Sequence, residues 1–284
     1  IAPYKPKLSI DLKHFIKMFG FGKWIFFGSI FSYFAMELDT YAAAKYFDTT
    51  LLGIYTVGFT LANKPIIELG KAINKVLFPA FSIMKDDLNR IRAAYLKASS
   101  MYYIVLIPLP IILYLISNDI FQLFLNDKWE GLVVVLEILS IATLFRVIAN
   151  PSTSLFKGIG KPNYVFYMSV IRFIGLIIPI YFWHQNLTLS NLSYCVLISN
   201  VILVISYVVI IHFKFLKIPK ILNYNLRLIL ILIIVTLITY FISNYIKLNI
   251  YRLIFLPFIY MTLYFTLINN FVRINNKSII KTLF

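Results

Sequence analysis

The feature that most constrains this chain is how its apolar residues are gathered. They fall in long blocks rather than in alternating or helical stripes. A block of about 18 or more such residues is long enough to cross a hydrocarbon core. Inside such a core every backbone N–H and C=O must be bonded within the chain, so a row of these blocks reads as helices. Hydrophobic residues make up 61% of the sequence and mean hydropathy is +0.85, well above what soluble domains show. We expect an all-α, polytopic membrane bundle of eight helices, near residues 19–44, 51–78, 93–116, 132–156, 164–183, 192–213, 226–246 and 253–272. The second and fourth carry the most polar residues. Two short amphipathic pieces, Asp86–Lys97 and Asn118–Leu125, are expected to flank the third, with Asp86 or Asp87 as an N-cap.

The formal net charge of +16 raises the question of nucleic acid. The basic residues are not on one patch, however, but lie mostly at the ends of the apolar blocks, which excludes that partner and instead orients the chain. Counted in alternate connections, one side holds Lys5, Lys7, Lys13, Lys17, Lys85, Arg90, Arg92 and Lys97. It also holds Lys157, Lys161, Lys214, Lys217, Lys220, Arg227, Arg273, Lys277 and Lys281. The other side holds only Lys45, Lys128, Lys247 and Arg252. This bias predicts both ends in the cytoplasm, and Trp24, Trp129 and Trp183 fall near the expected boundaries. The connections are too short to hold a folded domain.

The single cysteine, Cys195, sits inside an apolar block and excludes a disulfide framework. His14, His184 and His212 fall near membrane ends and read as surface groups. There is no glycine-rich phosphate loop, no paired Cys or His metal spacing and no nucleophile elbow, so no cofactor, no metal and no enzymatic activity are expected.

The informative residues are ionisable groups inside the apolar blocks. Each costs about 2.5–3.5 kcal/mol at the bilayer centre, so such residues face a bundle interior or a wet cavity. The second segment carries Lys64, Glu68, Lys71 and Lys75 at a spacing that places all four on one helix face, opposite Leu61, Ile66, Ile73 and Leu77. Two readings stand side by side. One is an internal ion-pair ladder in which Glu68 neutralises Lys64 or Lys71. The other is a cationic binding face, because three cations outnumber one anion. Glu37 and Asp39 lie in the outer half of the first segment. Glu137 and Arg146 lie in the fourth, where Thr143 and Asn150 share the Arg146 face, and Arg172 lies near the middle of the fifth. Arg146 and Arg172 are expected to share interior space with the Lys64 stripe. Such a surface suits an anionic ligand such as a phosphate or pyrophosphate. Prolines 65, 79, 108, 110, 151, 179 and 257 fall within or beside these helices and mark expected kinks.

The run from Pro65-Ile66-Ile67-Glu68-Leu69-Gly70-Lys71 to Phe81-Ser82, followed by Lys85-Asp86-Asp87 and Arg92-Ala93-Ala94-Tyr95, resembles the Wzx-type polysaccharide flippases. These belong to the multidrug/oligosaccharidyl-lipid/polysaccharide exporter superfamily. Phe21-Gly22-Lys23-Trp24, Leu38-Asp39, Asn126-Asp127-Lys128-Trp129 and Gly158-Ile159-Gly160-Lys161-Pro162 fit the same pattern. The resemblance covers roughly Leu12 to Pro162. It implies a MATE-like arrangement of two six-helix lobes with extra helices behind. On that template, residues 1–18 are a cytoplasmic linker between lobes. Residues 19–216 are then the second lobe, and residues 217–284 two trailing helices and a cytoplasmic tail. The chain opens Ile1-Ala2-Pro3 without an initiator Met, so an N-terminal lobe of the same protein is expected upstream.

The resemblance further implies transport of undecaprenyl-pyrophosphate-linked oligosaccharide across the bacterial cytoplasmic membrane, for a surface polysaccharide such as O-antigen, capsule or exopolysaccharide. The implied partners are the bilayer, the lipid-linked oligosaccharide, and the polysaccharide polymerase and glycosyltransferases of the same route. The substrate-binding residues expected are Lys64, Lys71, Arg146 and Arg172. Those expected to couple transport to an ion are Glu68, Asp39 and Glu37. Alternatives are a drug or peptidoglycan-precursor exporter of the same superfamily, and an integral-membrane glycosyltransferase or polymerase. A carrier of cationic drugs calls for an acidic interior, and a polymerase for a large external loop. Neither is evident in this sequence.

Overall fold

The computed structural model describes residues 12–215, 218–243, 245–246 and 249–283. Among them are nine α-helices and two single 3-10 turns, with no strand. The helices are α1 (Leu12–Tyr46), α2 (Thr49–Ile83), α3 (Leu88–Leu106), α4 (Pro108–Phe124), α5 (Gly131–Gly158), α6 (Pro162–Trp183), α7 (Leu189–Lys214), α8 (Ile218–Ser243) and α9 (Asn249–Leu283). Five described stretches are long and apolar enough to cross a bilayer, at Leu88–Phe124, Asp127–Gly158, Pro162–Asn186, Leu189–Lys214 and Ile250–Asn269. The chain is a polytopic helical membrane protein.

Each expected helix is present, and three details differ. First, the expected third helix and both amphipathic pieces beside it form one long rod, α3 and α4, interrupted only at Ile107–Pro108. Proline has no N–H to continue the ladder, and it disfavours the helical conformation in the residue before it. The break is slight because Ile107 stays helical and its N–H still bonds Tyr103 O at 3.0 Å. Second, of the eight expected membrane helices, α1 and α2 are not apolar enough over any long described stretch to count as spans and α8 has only the shorter apolar stretch Leu228–Ser243, whereas the fourth (α5), also read as polar, qualifies. Third, of the linker expected at residues 1–18, residues 1–11 lie outside the described residues and 12–18 already belong to α1. The cap does form at Asp87, whose carboxylate accepts from Asn89 N and Arg90 N at 3.0 Å.

The centre of the bundle is α5. It packs against α2, α4 and α7, and more lightly on α3 and α6. Leu132, Val135, Leu136, Leu139, Ala142, Val147 and Leu155 are all buried along it. α5 is buried on most sides by the helices packed around it, despite its polar face. Close approach needs small residues. Gly58 of α2 meets α5 so tightly that a Cβ there would stand 2.6 Å from Val135 Cγ1. The α8–α9 pair docks on α4 and α3, where Leu228, Leu232, Val235, Tyr260 and Tyr264 pack with Leu106 and Ile107. On this seam Arg252 Nε lies 3.6 Å from Oδ2 of Asp119, a carboxylate that is wholly buried.

The α1–α2 hairpin is split between partners. α1 lies along α6, α2 lies along α5, and the two arms meet each other only sparsely. They are joined by Phe47 and Asp48, and Asp48 caps α2 by accepting from Leu51 N at 2.8 Å. Helix order puts Trp24, Lys157 and Pro162 at the lysine-rich end of the bundle, and Trp129, Trp183 and the α1–α2 turn at the other.

Candidate functional site

A cavity of about 370 Å³ lies between α1, α5, α6 and α7. One face of α5 supplies most of its polar lining. Arg146, Asn150, Thr153 and Lys157 follow one another at spacings of four, three and four, and so project the same way. α6 adds Arg172 and Ser169. α1 adds Trp24, Ser32 and Met36, and comes close to α6 at Gly28, where a Cβ would sit 3.5 Å from Phe166 Cα. The cavity runs from Lys157 and Pro162 at the lysine-rich end to Arg146 and Arg172. At 1.5 Å per residue Lys157 and Arg146 are about 16 Å apart along the axis. Three cations line this space and no carboxylate does.

The neutral polar groups are held by neighbours. Asn150 Nδ2 donates to Tyr102 Oη at 2.9 Å, and Thr153 Oγ1 shares a hydrogen bond with Tyr207 Oη at 2.8 Å. The cations are held loosely. Arg146 donates from Nη1 to Asn63 Oδ1 at 3.2 Å and from Nη2 only to the Met36 thioether at 3.4 Å, a weak acceptor. Arg172 is 8% exposed and its Nε has no hydrogen-bond partner. Lys157 forms no ion pair among the described residues. A guanidinium carries five donors in a fixed fork, so this arrangement leaves donors aimed at cavity space.

Beyond the arginines lies Asp39, 1% exposed. Tyr55 Oη donates to its Oδ2 at 2.6 Å, whereas Oδ1 has no hydrogen-bond partner. Arg146 and Arg172 both act on Asp39 electrostatically, and on each other.

The structure therefore brings Arg146 and Arg172 together, with Asp39 behind them. It does not bring in Lys64 or Lys71. The expectation that the α2 stripe shares interior space with the arginines is corrected. Lys64, Glu68, Lys71 and Lys75 are exposed, because the buried side of α2 is set by Ile54, Tyr55, Gly58, Ala62, Asn63 and Ile66 against α5. Leu61, expected on the apolar side, is exposed with them. The ion pair foreseen for Glu68 forms with Lys71, at 2.8 Å, between side chains 60% and 62% exposed. Glu37 is half-buried on α1 and does not line the cavity.

Lys157 is the residue that sequence reasoning missed. It was assigned to a cytoplasmic connection, yet the spacing from Arg146 through Asn150 and Thr153 was readable. No group of three metal-ligating side chains occurs among the described residues.

Residues 1–134 match the family described as polysaccharide biosynthesis protein. That part of the chain is similar to this family. The resemblance to polysaccharide flippases is borne out there, at modest identity. Similar proteins include the lipopolysaccharide biosynthesis protein WzxC of Escherichia coli (strain K12), 29% identical over 60% of this chain and 34% of that protein. The teichuronic acid biosynthesis protein TuaB of Bacillus subtilis (strain 168) is 25% identical over 58% of this chain and 34% of its own length. The succinoglycan biosynthesis transport protein ExoT of Rhizobium meliloti (strain 1021) is 19% identical over 62% of this chain and 35% of its own. The chain thus spans about a third of the length of the curated relatives it matches. No solved structure matches it.

Proposed function

We propose that this chain is the second lobe, with two trailing helices, of a flippase that moves an undecaprenyl-pyrophosphate-linked oligosaccharide across the bacterial cytoplasmic membrane. The observation that carries this reading is the carboxylate-free cavity lined by Arg146, Arg172 and Lys157. Arginine forks match phosphate oxygens two at a time, and in a low-dielectric setting their attraction is strong. Trp24 at the mouth offers an aromatic face beside Lys157, and Ser32, Asn150 and Thr153 offer hydrogen-bonding groups suited to a sugar. The relatives' names, in lipopolysaccharide, teichuronic acid and succinoglycan biosynthesis, support a polysaccharide precursor as cargo.

The exposed charged face of α2 belongs to the same reading. A helix face carrying Lys64, Glu68, Lys71 and Lys75 is costly against lipid. It suits a first lobe packed across a shared central space, with transport by rocking of one lobe against the other. The bias of lysine and arginine supports a mouth at Lys157 on the cytoplasmic side.

The test is complementation of surface-glycan export by the full-length protein. Arg146→Gln with Arg172→Gln abolishes export while the protein still reaches the membrane. Undiminished export by this double variant refutes the cationic-cavity reading.

A further inference from the structure

A second cavity, of about 180 Å³, lies between α3, α5, α7 and α8, where the trailing pair meets the lobe. Its walls are largely aliphatic, with Ile107, Val204, Ile211, Leu228 and Leu232 among them. The polar groups in the lining are spent on their neighbours. Tyr95 Oη shares a hydrogen bond with Ser152 Oγ at 3.0 Å, and Tyr103 Oη donates to Ile148 O at 3.1 Å. Asn225 Oδ1 accepts from Ser100 Oγ at 2.9 Å. A trapped water needs two to four polar partners, so this space favours hydrocarbon over water. Tyr207 stands in the wall shared with the cationic cavity, where its hydroxyl is bonded to Thr153. The two most exposed lining residues are Val208 of α7 and Ile229 of α8, at 37% and 42%. These two helices touch only sparsely, so the cavity opens between them, toward the surroundings of the bundle. At the lysine-rich end Phe215 follows Ile211 by four residues, on the same side of α7. Arg92, one turn before Tyr95 on α3, donates from Nε to Phe215 O, and Lys161 Nζ lies 5.6 Å from the Phe215 ring. Neither cation has a carboxylate partner among the described residues.

We propose that this cavity is a binding site for an anionic phospholipid, which threads one acyl chain between α7 and α8 and rests its phosphate on Arg92 and Lys161. Two separate complementarities lead there. The first is apolar. An empty hole costs its lining the contacts that a filled one would make, and the medium at a mouth between two membrane helices is lipid chain. The second is charge. Arg92 and Lys161 flank the lysine-rich end of the same cavity, and an arginine fork can hold a backbone carbonyl and a phosphate oxygen at once. Chain and headgroup are thus met by one site, in the order in which a lipid carries them. The Tyr207–Thr153 bond walls this space off from the cationic cavity, so the occupant is a molecule separate from whatever the arginines hold. Its place is structural: it fills the gap that α7 and α8 leave between them and backs the ring of Tyr207.

The probe is phosphatidylglycerol with a diazirine near the middle of one acyl chain. It is added to the purified, delipidated full-length protein in detergent and photolysed, and the labelled residues are mapped by mass spectrometry. Label is expected to concentrate on the cavity lining of α7 and α8, at Val204, Val208, Leu228 and Leu232. Val208→Trp fills the rim from a partly exposed position and is expected to lose that label. Ile229→Trp closes the mouth from the other helix and serves as the second variant should the first disturb folding. Lys161→Gln, at an exposed site, is expected to lower the preference for phosphatidylglycerol over phosphatidylcholine about fivefold, the worth of one lysine beside an anionic headgroup. Label spread evenly over the outer faces of the bundle, or unchanged in both tryptophan variants, overturns the site. Equal labelling by the two phospholipids in the wild type overturns the headgroup assignment. Displacement of the label by an isoprenoid phosphate, and not by unlabelled phosphatidylglycerol, overturns the phospholipid assignment in favour of a carrier lipid. Glycan export enters none of these readouts, so their failure is distinct from failure of the flippase reading.

Discussion

Replacing Arg252 by Met in the full-length protein is the sharpest test of how the α8–α9 pair is held. Its partner Asp119 is 0% exposed, and neither carboxyl oxygen has a hydrogen bond. Among the described residues, the ion pair at 3.6 Å is therefore its compensation. At an effective dielectric of about 20, two unit charges at that distance attract by roughly 4–5 kcal/mol. Breaking a buried pair by removing one partner costs about 3–5 kcal/mol, because the other charge stays behind. The Arg252 side chain is 25% exposed, so water reaches part of the site and the low end applies, about 3 kcal/mol. The assay is thermal unfolding in detergent of the wild type, Arg252→Met, Asp119→Asn and the double variant. Arg252→Met is expected to lower the unfolding midpoint by several degrees, and adding Asp119→Asn to recover most of the loss. Strictly additive effects in the double variant, or no loss in Arg252→Met, refute the reasoning.

Three further predictions concern packing and helix propensity. Gly58→Val drives new atoms into Val135 and Leu132 and should cost about 1–3 kcal/mol of stability, read by the same melting assay. Gly53→Ala, where nothing stands within 4 Å, should stabilise by up to about 1 kcal/mol through helix propensity. Leu139→Ala, at a fully buried position on α5, should destabilise by about 2–5 kcal/mol.

Five of the membrane stretches were legible because they announce themselves by length and hydropathy alone. The Asp87 cap and the weakness of α2 as a span could be read for equally local reasons. What could not be read was which way a polar face turns. Amphipathicity says that the Lys64 stripe avoids lipid, but not which neighbour it meets. That was decided by Gly58, Ala62 and Asn63, small or bonded residues that let the adjoining face of α2 settle on α5. Arg146 and Arg172 were foreseen as neighbours, because charge deep in an apolar block has few places to go. Lys157 was hidden by its location: a lysine at a helix end looks like a topology signal even when it also lines a cavity. Glu68 stands among lysines in the sequence and Asp39 does not. In space it is Asp39 that faces the arginines.

The sparse meeting of α1 and α2 has a mechanical side. At 35 residues, α1 is a rod about 52 Å long, fixed to its hairpin partner at one tip by a two-residue turn. Its length is packed on α6, so α1 and α6 together form one arm that can turn about the Asp48 end only as a pair. Swinging it by about 5° displaces the distant tip by about 4 Å, roughly the width of one side chain, while Asp39 beside the fulcrum scarcely moves. The mouth and the floor of the cavity are therefore geared differently. A small turn of α1 together with α6 would thus alter the mouth near Trp24 more than the surroundings of Asp39.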